Sequence, residues 1–258
     1  MVGGDDSPIP WHTLLTGMVF IQVFYWSTNQ NITQKAMAAP TVREAQKGVL
    51  AAAAIRILVI PPIVVIPGVV AYKLFGDVGD AAYGRLVAEV LPGWLAGAFA
   101  AMVAAAVITT FSAVLNSTVA LYSVDFHERF IGKVADHWRL GALVSVIVTA
   151  VAVVLVPVFQ DADSIINLLQ QLNGLFSMPI LSAFIVGLLF RHVAARAAIF
   201  GVLWGFGIYA AYTFVWQPQG VITLHYIHFM VVVLASSVVA ALVSNRLLGQ
   251  RERWIAIA

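Results

Sequence analysis

The sequence predicts an all-α polytopic membrane protein, and three observations carry that prediction. Of the 258 residues, 61% are hydrophobic and only 10% charged, with a mean hydropathy of +0.93. A water-soluble domain carries about 25% charged residues, so this chain could not cover its surface with charge in water. Long apolar runs recur at the roughly 20 residues that a spanning helix requires. Lys and Arg crowd into alternate connections between those runs, the pattern of a multi-pass chain.

Seven runs read as spans: 10–30, 48–75, 93–124, 139–159, 164–190, 195–216 and 225–247. The longest polar connection, 76–92, leaves no room for a soluble domain. One set of connections holds Lys35, Arg43, Lys47, Arg129, Lys133, Arg139, Arg191, Arg196, Arg246, Arg251 and Arg253, whereas the alternating set holds only Lys73 and Arg85. Eleven against two places the N-terminus outside and the C-terminus in the cytoplasm of a plasma (inner) membrane, and seven spans give the required odd parity. Arg56 is left within a span. The chain has no cysteine, which excludes a disulfide framework or thiolate metal site. A formal charge of +2 carries no signal for nucleic acid; membrane lipid is the expected surrounding. The opening "MVGGDDSPIPWH" holds two aspartates and no Lys or Arg, so it does not read as a signal peptide.

Polar groups inside hydrocarbon are costly and mark bundle interiors or cavities. Four clusters stand out. In "QVFYWSTNQ", Gln22, Tyr25, Trp26 and Asn29 fall at i, i+3, i+4 and i+7, one face of a continuous helix. Amides with stacked rings suit an uncharged polyhydroxylated ligand; an interfacial aromatic belt gives the same pattern. In "AAVITTFSAVLNST", Thr109 and Thr110 lie three and four residues past Ala106, so two hydroxyls and one carbonyl gather around one point. Hard cations favour such oxygens, and a sodium ion takes on the order of five or six of them, so this helix supplies at most half a shell. A small-residue packing face is the other reading.

Arg56 lies nine residues past Lys47. At 1.5 Å per residue that is about 13 Å into a core of roughly 30 Å, too deep to reach either interface easily. It either touches a ligand or pairs with a carbonyl or acid. The prolines at 61, 62 and 67 offer kinks in the same span. "INLLQQLNG" places Gln170, Gln171 and Asn173 ahead of Gly174 and Pro179, where a bend is expected; interhelical hydrogen bonding is the alternative to ligand contact. The glycosylation-like "NIT" and "NST" fall on the cytoplasmic side and inside a span. The six histidines show no paired metal spacing, and no nucleophile–base set or phosphate loop supports an enzyme.

These blocks together resemble the solute:sodium symporter family, the sodium/sugar cotransporters. "PWHTLLTGMVFIQVFYWSTNQNITQKAMAA" resembles the family's sixth core helix. "EAQKGVLAAAAIRILVIPPIVVIPGVVAY" is similar to the next helix, and "AAVITTFSAVLNSTVALYSVDFHERF" to the eighth. The resemblance runs from about residue 9 to 247. It implies that Tyr25 gates a solute site from the cytoplasmic side, that Gln22, Trp26 and Asn29 line or support it, and that Gln170 bonds the solute. It further implies that Thr109, Thr110 and the Ala106 carbonyl bind the co-transported Na+. Arg56 falls where the family more often has a solute-contacting Lys, and the two residue types are not interchangeable.

The same resemblance implies the leucine-transporter-like fold, whose ten core helices form two inverted five-helix repeats with the site at their interface. This chain matches the second repeat (10–190) and two peripheral helices (195–247) within one transmembrane domain, 1–258. It is thus expected to be a fragment of a larger transporter, inactive alone, with the missing N-terminal repeat as its partner. The expected function is sodium-coupled symport of a small neutral solute, first a sugar. The alternatives are inositol, sialic acid or an amino acid as solute, or a sensor or structural module without transport.

Overall fold

In the computed structural model, residues 4, 9–160, 165–249 and 253–254 are described. Arg251 and residue 164, the start of the expected fifth span, lie outside them. The chain is an all-α polytopic membrane protein, with six helices long and apolar enough to cross a bilayer among the described residues. It falls into two compact units, Met1–Ile32 with Ile166–Ala258, and Thr33–Ile165.

The first unit opens with a 3₁₀ turn, Trp11–Leu15, followed by α1, Gly17–Ser27. The expected continuous span 10–30 is therefore corrected to a broken element. Thr16 breaks it, with φ −121° and ψ −111°, outside any helical region. α1 stops at Thr28, and α2 (Gln30–Met37) carries the chain into the second unit.

The second unit contains α3 (Val42–Phe75), α4 (Ala82–Val90), α5 (Gly93–Ala120), a π-helical stretch (Leu121–His127), the short α6 (Glu128–Phe130) and α7 (His137–Gln160). Thr41 caps α3, its hydroxyl accepting from the Glu44 amide at 3.2 Å. Gly76 ends it at φ 74°, a conformation that glycine adopts without steric cost. Pro61, Pro62 and Pro67 lie inside α3 without ending it. Having no N–H, they leave the carbonyls of Ile57, Leu58 and Ile63 without their in-helix donors. The connection expected to be a polar loop at 76–92 contains α4.

The first unit resumes with α8 (Ile165–Leu189), a single helix that contains Gly174 and Pro179. A two-residue strand β1 (Phe190–Arg191), α9 (Ala195–Ala211), a π-helical turn (Tyr212–Trp216), α10 (Tyr226–Leu247) and β2 (Arg253–Trp254) follow. Ile21, Met178, Leu181, Tyr209, Tyr212 and Met230 are among the residues that form its core. α9 packs on α10 through small residues. A Cβ added at Gly201 would stand 2.7 Å from both the Ala241 Cβ and the Ser237 carbonyl, and one at Gly205 would collide with the Ser237 hydroxyl. Close backbone approach of this kind replaces the hydrophobic drive that lipid abolishes. At the far end of α10, Asn245 clasps the α8–α9 turn: its Oδ1 accepts from the Ala194 amide at 2.9 Å and its Nδ2 donates to the His192 carbonyl at 3.2 Å.

Candidate functional site

The residues expected at a solute site separate according to where the helices break. Gln22 and Trp26 sit one turn apart on α1, and the indole Nε1 donates to the Gln22 Oε1 at 3.2 Å. The Tyr25 ring meets Trp26 edge-on, with centroids 5.5 Å apart and planes at 83°. Asn29 does not share this face, because the helix on which it would be i+7 ends at Ser27. Its carbonyl accepts from the Ile32 amide at 3.0 Å and its side-chain oxygen from the Asn31 amide at 3.0 Å. It thus opens α2 as a capping residue.

Gln170 is buried on α8 and reaches back to α1. Its Nε2 lies 3.2 Å from the Met18 Sδ, while its Oε1 accepts from Asn173 Nδ2 at 3.1 Å. Met18 is one turn before Gln22 and lines, with Gln22, Trp26, Leu14, Val19 and Val23, an open recess of about 510 Å³. Gln22 and Trp26 thus line this recess, and Gln170 touches Met18, another of its lining residues. Donor and acceptor amides beside an indole face are the groups that recognise hydroxyls on an uncharged ring.

The three oxygens on α5 also converge. The Thr109 hydroxyl donates to the carbonyls of Ala105 (3.0 Å) and Ala106 (2.9 Å), and the Thr110 hydroxyl donates to Ala106 at 2.9 Å. Each hydroxyl oxygen keeps lone pairs for a cation while its proton rests on the carbonyl. Ala106, Thr109 and Thr110 are all exposed, as is Arg56 on α3. The most apolar stretches of α3 and α5 are wholly uncovered within this chain. Bare apolar side chains cost nothing in lipid, whereas polar and ionisable groups at depth face a bundle interior or cavity. These faces require protein or water beside them.

Two contacts escaped sequence reasoning. His12 and His228, 216 positions apart, meet at 2.7 Å. A Cβ on Gly17 would collide with the Ile227 carbonyl, so the start of α1 lies directly against α10. Nothing in their spacing signals either contact. The Gly201–Gly205 seam was legible as a small-xxx-small pattern in a sequence stretch that otherwise reads as generic.

The sequence pattern of the sodium:solute symporter family matches residues 6–205. The chain belongs to the sodium:solute symporter family. It is similar to an uncharacterized symporter, YidK, of Escherichia coli (strain K12), at 32% identity over 248 residues, covering 94% of this chain and 43% of the relative. It is similar to the sodium/glucose cotransporter of Vibrio parahaemolyticus at 29% identity, covering 74% of this chain and 39% of that protein. The sodium/mannose cotransporter SLC5A10 of Bos taurus is 25% identical, with 91% of this chain and 46% of the relative covered. The chain spans less than half the length of these curated relatives.

Proposed function

We propose that this chain contributes one wall of a sodium-coupled symporter for a small neutral polyhydroxylated solute, most simply a sugar. The observation that carries the reading is the convergence of the Thr109 and Thr110 hydroxyls on the Ala106 carbonyl, both at 2.9 Å. Three oxygens there bind Na+ as cargo. Solute binds against Gln22, Trp26 and Gln170, Tyr25 screens it from the cytoplasm, and Asn29 supports the end of that helix. The absence of an acidic side chain from this set favours an uncharged solute. Arg56 is the one group that would favour an anion such as sialic acid; inositol and amino acids are the other solutes to compare. Residues 10–190 act as the second five-helix repeat and 195–247 as peripheral helices. The N-terminus lies outside and the C-terminus in the cytoplasm of the plasma (inner) membrane. The part of the relatives that this chain does not match supplies the remaining sodium oxygens and the opposite solute wall. Each sodium ion entering with the membrane potential contributes about 2.3 kcal/mol per 100 mV.

Uptake into vesicles containing the complete protein tests this reading, comparing a sodium gradient with choline. Labelled sugar accumulates with sodium only. Gln170→Ala raises the sugar KM about tenfold, the loss of roughly one hydrogen bond, and leaves the sodium dependence in place. Solute binding that ignores sodium, with no accumulation, would instead identify a sensor.

A further inference from the structure

Back-bonded hydroxyls recur two turns apart along α5. Ser117 lies seven residues past Thr110, about 10 Å further along the same face at 1.5 Å per residue. Its hydroxyl donates to the Ala113 carbonyl at 2.9 Å, as the Thr110 hydroxyl does to Ala106. The two differ in their surroundings. Thr110 is exposed, whereas Ser117 is the one buried residue of α5, at 6% exposure. A hydroxyl has one proton, and that of Ser117 rests on the Ala113 carbonyl. Its oxygen then accepts from the Gln34 Nε2 at 2.8 Å. Gln34 stands on α2, 83 positions away and within the same second unit.

At its start, α2 is joined to α1 by the two-residue elbow Thr28–Asn29. On the α1 side, the Phe24 carbonyl accepts from the Thr28 amide (3.0 Å), the Asn29 amide (3.2 Å) and the Thr28 hydroxyl (2.9 Å). On the α2 side, the Asn29 carbonyl and side chain accept from the Ile32 and Asn31 amides, each at 3.0 Å. An elbow hydrogen-bonded on both sides passes a displacement of α2 to the last turn of α1, which carries Tyr25 and Trp26.

We propose that Gln34 is a positioning residue: its hydrogen bond to Ser117 ties α2 to the helix that carries Thr109 and Thr110, and the elbow passes the state of that helix on to Tyr25 and Trp26. The coupling rests on the reading of those residues as ion and solute groups given above. Sodium on Thr109 and Thr110 holds α5, and through Ser117 it holds α2 and the end of α1. Linkage makes the effect reciprocal, so solute seated against α1 also tightens sodium.

The complete protein tests this with sodium as the probe and choline as the control. Binding of radioactive Na+ reads the ion site, and hydrogen exchange of the amides of residues 22–29 reads the end of α1. In the parent, sodium slows that exchange at least about fivefold relative to choline. Gln34→Ala and Ser117→Ala bind sodium with the parent's half-saturation, but their exchange is the same in both salts. Ser117→Thr keeps the oxygen and the slowing. Parent-like slowing in Gln34→Ala, or a parent that binds sodium without slowing, would overturn the proposal and leave the ion site standing. Loss of sodium binding in Gln34→Ala would also overturn it, because the residue would then support the ion site and transmit nothing. A parent that binds no sodium fails the ion reading itself, and the coupling with it.

Discussion

Replacing Thr109 and Thr110 together by alanine abolishes sodium activation of uptake while leaving the protein folded. Both hydroxyls point at the Ala106 carbonyl, and both are exposed, so no packed core collapses when they go. Alanine is also the better helix former, which offsets the lost back-bonds. The ion loses two oxygens from a shell on the order of five or six. Each single substitution raises the sodium concentration for half-maximal uptake about tenfold, equivalent to 1.4 kcal/mol. Thr→Ser at both positions keeps the oxygens and restores coupling. Thr118 is the internal control: its hydroxyl back-bonds to Val114 at 2.9 Å on the same helix, and Thr118→Ala leaves the sodium dependence unchanged. Uptake against sodium concentration in the five variants reads this out directly. An unaltered sodium curve in the double variant would remove the ion from this helix.

Gly201→Leu unfolds the α9–α10 pair. Even the first carbon of a side chain would stand 2.7 Å from the Ala241 Cβ and the Ser237 carbonyl, and the latter is backbone that cannot rotate away. Overpacking by one methyl costs about 1–3 kcal/mol, so Gly201→Ala is already destabilising and leucine is worse. Gly207 lies on the same helix with nothing within 4 Å of an added Cβ. Gly207→Ala therefore leaves stability equal or slightly raised, by the roughly 0.5–1 kcal/mol that alanine gains over glycine in a helix. Denaturant unfolding in detergent, followed by far-ultraviolet circular dichroism, separates the three variants. Equal midpoints for Gly201→Ala and Gly207→Ala would mean that the helices do not meet at Gly201.

Apolar length and basic loops were enough to read the class and most of the helices, because a bilayer imposes both directly. The back-bonded pair at Thr109 and Thr110 was also legible, since its geometry is local to one turn. The first span was not. Its apolar run continues through Thr16 and Ser27, and the features that break it are tertiary: the Ile227 carbonyl against Gly17, and His228 against Thr16. The end of α1 at Ser27 removed Asn29 from the face that unbroken spacing assigned to it. Gln170 was read as polar in a span, but its approach to Met18, 152 positions away, is a product of packing that periodicity does not encode.

The clasp of Asn245 on the α8–α9 turn has a mechanical corollary. α8, α9 and α10 are tied at that end, and α9 is seated on α10 along the glycine seam, so the three behave as a rigid frame. α1 is pinned to that frame at Thr16 and Gly17 and packs on it through Met18 and Ile21, which makes it a lever fixed along its first turns. A chain without cysteine accepts paired spin labels at any chosen site. Labels at the exposed Leu203 and Val239 then form a ruler whose length stays constant when sodium and solute are added. The distance from Val239 to Val23, on the free part of the lever, is the one that changes.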